Sequence, residues 1–327
     1  MASTVETEAD AVKLEGRSPG RLMWLRFKRD RTGVISAYVV GCFFLIGLLA
    51  PLISKVYGKN PYTVYADERP DLFDSAGVPV KPNGGISADF WFGLEPGNGY
   101  DVFTKLVYGI RTSLMISVAV TVAVVVTAIL LGVTAGYLGG RTDYVLGRVI
   151  DFLLAFPAQL FFIASMPVVV SLFVSPRDQT PTYVRVIALI LVQWFLGWMG
   201  LGRILRGTAL ALREREFIEA AKVSGASPWR IIRKEILPNI VTPLLVQATY
   251  LLPNFVTAEA GLSFLGVGIV EPTPDWGQMF SKASTQLVME NDITYMFFPG
   301  ISMIIFVVAF NLLGDSVRDA FDPKTAR

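Results

Sequence analysis

The sequence predicts an all-α integral membrane protein with six transmembrane helices and both termini on the cytoplasmic side. Three observations predict it. Only 17% of the 327 residues are charged, against about 25% in a soluble domain, and mean hydropathy is +0.51. Six runs carry no charge at all: Val34–Ser54, Thr112–Gly140, Phe152–Pro176, Val186–Gly202, Ile236–Ala258 and Ile293–Gly314. A helix crosses the hydrocarbon core in about 20 residues, and every run except Val186–Gly202 reaches that length. Finally, Lys and Arg alternate in density. Seven precede the first run, two lie between the second and third, eight between the fourth and fifth and three after the sixth. With these segments inside, 20 of the 29 basic residues are cytoplasmic, as the positive-inside rule requires.

Composition also excludes chemistry. There is no His, and the single cysteine is Cys42. That removes the commonest general base and metal ligand and any internal disulfide framework. A net charge of +2 gives no basis for nucleic-acid binding. No G-x-x-x-x-G-K-[ST] pattern occurs, so the chain has no phosphate-cradling loop of that type. Neither a catalytic residue, a bound cofactor nor a metal site is expected in this chain.

Along the chain, residues 1–16 are polar, acidic and expected to be disordered. Residues 17–31, "RSPGRLMWLRFKRDR", mix apolar and cationic side chains. They suit either a short helix on the inner leaflet or ordinary cationic flanking of a span. The cytoplasmic segment 1–33 then leads into a first membrane helix, 34–56. That helix reads as a retained anchor, because its apolar stretch exceeds a signal-peptide core of about 7–15 residues. A Pro-, Gly-, Asn- and Asp-rich outer loop, 57–111, is too long for a simple connector. A core of five further helices spans 112–318, and a cytoplasmic tail covers 319–327. The eleven residues Ala260–Val270 are too few to cross alone and read as a re-entrant or interfacial continuation of the fifth span.

Prolines 157, 167, 243, 253 and 299 fall within the spans, where each bends the helix axis. The runs contain no ionisable side chain, whereas ion-driven transporters place such groups at depth. Glu259 lies nearest, at the outer end of span five. It either reaches the headgroups or lines the outer mouth. Asn311, Asp315, Arg318 and Asp319 gather at the inner end of span six, where helix-end hydrogen bonding and ion pairing account for them. Arg141 and Arg148 read as inner-face anchors.

The segment "EFIEAAKVSGASPWRIIRKEILP", 216–238, interrupts this apolar text with ordered turn chemistry. Glu219, Ala220, Ala221 and Lys222 are good helix formers. Phe217, Ala220, Ala221 and Ser224 share a narrow face. Gly225 suits the left-handed residue that ends a helix. Ser227 and Pro228 suit the cap and first position of the next, which is expected to end near Leu237-Pro238. A mobile linker has no use for such endings. A docking element does, because its shape must persist while a partner pushes on it.

This segment resembles the E-A-A---G---------I-x-L-P loop of the membrane permease subunits of ATP-binding-cassette importers. Glu219, Ala220, Ala221, Gly225 and Pro238 fall on the pattern, and Ile236 stands one step off, as I-L-P. The stretches "GYLGGRTDYVLGRVIDFLLAFP" (136–157), "AEAGLSFLGVGIVEPTPDWGQM" (258–279) and "FFPGISMIIFVVAFNLLGDSVRDAFDP" (297–323) are similar to the dipeptide/oligopeptide-type permeases, the second of their two paired membrane subunits. The resemblance implies that the loop 213–238 carries a coupling helix, with Glu219, Ala220, Ala221, Gly225, Leu237 and Pro238 contacting an ATPase. It implies as partners a sister permease, two ATPase subunits that bind ATP and Mg, an extracellular substrate-binding protein and membrane lipid, in the cell membrane. The cargo it implies is a dipeptide or oligopeptide, in a family that also moves nickel chelates and glutathione. Before the second span the pattern L-G-T-D-x-x-G-R-D-x-x-S-R departs: Tyr100 replaces its G-R-D arginine and Thr104-Lys105 its S-R pair. Two other readings compete: an ion-driven secondary transporter, which lacks ionisable groups at depth, and a non-transport membrane scaffold.

Overall fold

The computed structural model describes residues 19–175 and 177–321, and every regular element among them is helical. Residues 1–16 and most of the tail 319–327 lie outside the described residues. Helix α1, Pro19–Arg29, stops at Asp30, whose carboxylate accepts from Thr32 N–H at 3.0 Å and starts α2, Arg31–Tyr57. Trp24 stacks on Phe27, Lys28 sits over the Trp24 ring, and α1 packs on the last helix. Gly58 closes α2 at φ +75°.

The second membrane helix, α3, runs Val102–Leu138 and starts ten residues before the expected boundary at 112. Asp101 caps it by accepting from Thr104 N–H at 2.8 Å. Lys105 and Arg111 are thus inside a helix. Charge did not end the helix, because Lys105 is buried against a carboxylate partner. A wider π-type turn, Ala128–Val133, interrupts α3 where Gly132 meets the backbone of Gly202.

The third apolar run is not one straight crossing. It divides into α4, Gly140–Leu153, and α5, Ala158–Ser171, bent by 88°. The bend falls at Phe156-Pro157, since proline disfavours the helical conformation of the residue before it. Helix α5 has 14 residues, about 21 Å at 1.5 Å per residue, so it cannot cross alone. Five helices are long and apolar enough to span, six if the bent pair counts as one. Helix α4 is held to α6, Thr182–Arg213, by a two-pronged Arg206–Asp143 contact at 2.5 and 3.0 Å and by Arg203–Asp151 at 2.7 Å. Arg141 and Arg148 stay exposed.

Helix α7, Glu216–Val223, is followed by α8, Pro228–Phe264. Beyond Phe264 the stretch Ala260–Val270 stops continuing the span. Gly266 takes φ +76° and the chain folds back, with Val267 and Gly268 N–H both donating to Leu262 O at 3.0 Å. Two short helices, α9 (Trp276–Ala283) and α10 (Gln286–Asn291), precede α11, Thr294–Phe321.

Two apolar cores hold the bundle. One joins α3, α6 and α8 through Val124, Met199, Leu205 and Phe255. The other joins α2, α3, α9 and α11 around Phe43, Trp276 and Phe306, whose rings lie 5.4–6.2 Å apart, within the range for favourable aromatic pairs.

Candidate functional site: the 216–225 helix and turn, and two buried polar clusters

Helix α7 is seated on the core by Ile218, with Ala221 packed at its edge. Ile218 is fully buried in the same core as Ile231, Ile232 and Ile236. Phe217, Glu219, Ala220, Lys222 and Ser224 are exposed, Ala221 is half-buried, and Val223 is 90% exposed. Phe217, Ala220 and Ser224 of the small-residue face therefore point away from the rest of the chain, while Ala221 turns partly into the core. Gly225 adopts φ +77° and ends the helix: its N–H donates to Lys222 O, and Ala226 N–H donates to Ala221 O, both at 3.0 Å. A Cβ on Gly225 would touch nothing within 4 Å, so the glycine serves backbone conformation, not space. Ser227 Oγ accepts from Arg230 N–H at 3.4 Å, and Pro228 opens the next helix.

That helix does not end at Leu237-Pro238. Ile232–Ile236 form a π-type turn and the helix continues unbroken to Phe264. Proline lacks an N–H and crowds the preceding turn; the widened turn provides the room. Leu237 is half-buried and Pro238 exposed on this continuous rod. The second half of the 216–238 segment is thus the first part of a membrane-length helix.

Glu259 does not reach the headgroups, nor does it line an outer mouth in this chain. It is fully buried. Ser263 Oγ donates to its Oε1 at 3.0 Å, and Asp275 lies beside it. Asp275 caps α9 by accepting from Gln278 N–H at 2.5 Å, and Trp276 N–H donates to Ser113 Oγ at 3.3 Å. Burial pushes the Asp275 carboxyl above its usual range. Helix α8 folding back through Gly266 carries α9 onto Glu259, a reversal that no local pattern announces.

A second buried group escaped the sequence reading. Lys105 Nζ donates to Glu95 Oε2 at 2.5 Å, Tyr295 OH donates to the same oxygen at 2.8 Å, and Lys282 Nζ stands 3.5 Å from Glu95 Oε1. Lys105 also lies over the Tyr100 ring at 4.8 Å. The two departures from the permease pattern, Tyr100 and Lys105, therefore meet each other. Asn98 Nδ2 donates to Glu271 at 3.0 Å, tying the outer loop to the turn after α8. The signal for Asp275 was available, as a Asp-x-x-Gln start like a capping box. Glu95 carried none. Near the C-terminal end of α11, Tyr250 OH donates to Asp315 Oδ1 at 2.5 Å; Asp315 thus joins α11 to α8.

Residues 128–327, which include the docking element, match the family described as binding-protein-dependent transport system inner membrane component. The chain belongs to this family. The permease also matches, over residues 18–74, the N-terminal TM domain of oligopeptide transport permease C. It is 34% identical to the dipeptide transport system permease protein DppC of Alkalihalophilus pseudofirmus, over 94% of this chain and 90% of that one. It is 32% identical to the oligopeptide transport system permease protein OppC of Escherichia coli, over 99% of this chain and 97% of that one. Among solved structures, the MetNI methionine ABC transporter aligns with TM-score 0.50 and 19% identity, over 67% of this permease and 97% of that chain. That likeness concerns the fold.

Proposed function

We propose that this permease is one of two paired membrane subunits of an ATP-driven importer of dipeptides or oligopeptides. Cargo arrives on an extracellular binding protein. Two ATPase subunits bind ATP and Mg and close on each other. The sister permease completes the path. The bent pair α4–α5 counts as a sixth crossing, which puts both termini in the cytoplasm, in keeping with the density of Lys and Arg on that side.

One observation carries this reading: an outward-facing α7, held by Ile218 and ended by Gly225, stands at the root of α8. Glu219, Ala220 and Ala221 offer a small, flat contact to the ATPase. Gly225 fixes the angle of the turn, and Leu237 and Pro238 pass the motion into α8. Helix α8 is continuous from Pro228 to Phe264, so a push on α7 that crosses the Gly225 turn is carried along the span by one body. The names of the relatives support the peptide cargo.

The test is copurification followed by uptake. Tagged permease should bring down an ATPase and a second permease. The reconstituted complex should take up alanine dipeptide only with ATP and the binding protein. Recovery of neither partner overturns the proposal.

A further inference from the structure

Helix α8 is the most weakly covered long span, and one side of it is polar. Gln247, Tyr250, Asn254, Thr257 and Gly261 recur at spacings of three and four residues. At about 100° per residue they fall within a sector of about 80°. Asn254 and Thr257 are exposed, and the other three are half-buried. The stripe does not stop at its own helix. Gln159 of α5 leans against Gly261, where an added Cβ would stand 3.1 Å from Gln159 Nε2.

Three carboxamides in this stripe are idle. Among the described residues, the side chains of Gln159, Gln247 and Asn254 have no hydrogen-bond partner. Leaving such groups in hydrocarbon is costly, so this face does not meet lipid tails. Asn and Gln in membrane helices also bond across helix pairs, but among the described residues no neighbouring helix supplies these three with a partner. The stripe instead leads to open space. At its inner end a cavity of about 440 Å³ is lined by Thr242, Gln247, Tyr250 and Arg318. The Asp315 contact pins the Tyr250 ring at the cavity edge.

We infer that Gln247, Asn254 and Thr257, with Gln159 across from Gly261, wall the route of the cargo and hydrogen-bond its backbone amides. A carboxamide both donates and accepts, so it pairs with a peptide group whatever the side chains beside it. Along Gln247, Asn254, Thr257 and Gln159 the wall carries no charge, so these contacts are indifferent to cargo charge. The inference rests on the import reading above and adds the recognition chemistry to it.

The experiment uses the complete complex in nanodiscs. Cys42→Ser removes the only cysteine of the permease, and ATP-dependent uptake of alanine tripeptide by that background tests the import reading separately. Single cysteines are then placed at 247, 254 and 257, with Leu245→Cys on the opposite side of α8 as control. A charged methanethiosulfonate reagent should label the three stripe positions and spare the control, and alanine tripeptide should protect them. Asn254→Leu should raise the half-saturating tripeptide concentration about five- to tenfold, the loss of one hydrogen bond. The factor should be the same for alanine-, lysine- and glutamate-containing tripeptides, and Asn254→Ser should restore most of it. Normal uptake with a stripe reached only by a lipid-soluble maleimide, or cross-linked to the sister permease and closed to water, overturns the inference. So does a factor that depends on the cargo side chain.

Discussion

The ammonium of Lys105 and the carboxylate of Glu95 meet at 2.5 Å with 1% and 0% of their side chains exposed. Ten residues apart in sequence, they fasten the outer loop to the first turn of α3. Tyr295 adds a hydrogen bond from α11, so three separate parts of the chain converge on one carboxylate. Such a pair is costly to break one-sidedly, because the survivor is a buried carboxylate left with only the more distant Lys282 ammonium, 3.5 Å away, for compensation.

Lys105→Met should therefore destabilise the permease by about 3–5 kcal/mol. The measurement is thermal unfolding of the detergent-solubilised complex. Adding Glu95→Gln to Lys105→Met should recover much of the loss, since the neutral amide still accepts from Tyr295. Equal stability of the single and double variants would show that the pair does not act as a unit.

Gly225→Val should abolish ATP-dependent uptake while the permease still inserts in the membrane. A β-branched residue resists the φ of +77° seen there, at a cost of about 1–2 kcal/mol. Because no atom would touch the new Cβ, the damage is to the turn angle. Gly225→Asn, which tolerates the left-handed region, should keep part of the uptake. Normal uptake by the valine variant would remove the docking role.

Arg206→Lys tests the α4–α6 clamp. Lysine keeps the charge but cannot grip Asp143 with two parallel donors, as Arg206 does at 2.5 and 3.0 Å. The pair is partly exposed, so the expected loss is modest, about 1 kcal/mol. Hydrogen exchange should rise in 140–153 and not in α2. Unchanged exchange would mean that packing alone holds α4.

Asp275 sets a pH dependence. Burial raises its carboxyl above the usual 3.8, so the folded chain holds that proton to higher pH than the unfolded chain. Its contribution to stability is complete below 3.8 and lost as pH rises through the folded value. Glu259, Ser263 and Lys105 act on the same group, so the titration belongs to the cluster. Thermal stability should rise as pH falls from above the folded value towards 3.8. Asp275→Asn, whose amide oxygen can still cap α9, should flatten that rise. An unaltered pH profile would place the dependence elsewhere.

What the sequence determined by itself is local or additive. Uncharged runs located the five long spans, because hydrocarbon demands them wherever they lie. Gly225, Ser227 and Pro228 announced the turn between α7 and α8, because caps and left-handed glycines act within a few residues. The family loop was legible for the same reason. What tertiary structure alone decided depends on distant segments meeting. Lys105 extends α3 outward only because Glu95 folds over it. Glu259 is buried only because the chain reverses at Gly266 and brings Asp275 back. The break at Pro157 and the unbroken passage through Pro238 are both proline positions. Which of them bends the rod depends on whether a widened turn can absorb the missing bond and the crowded ring, and that is settled by packing.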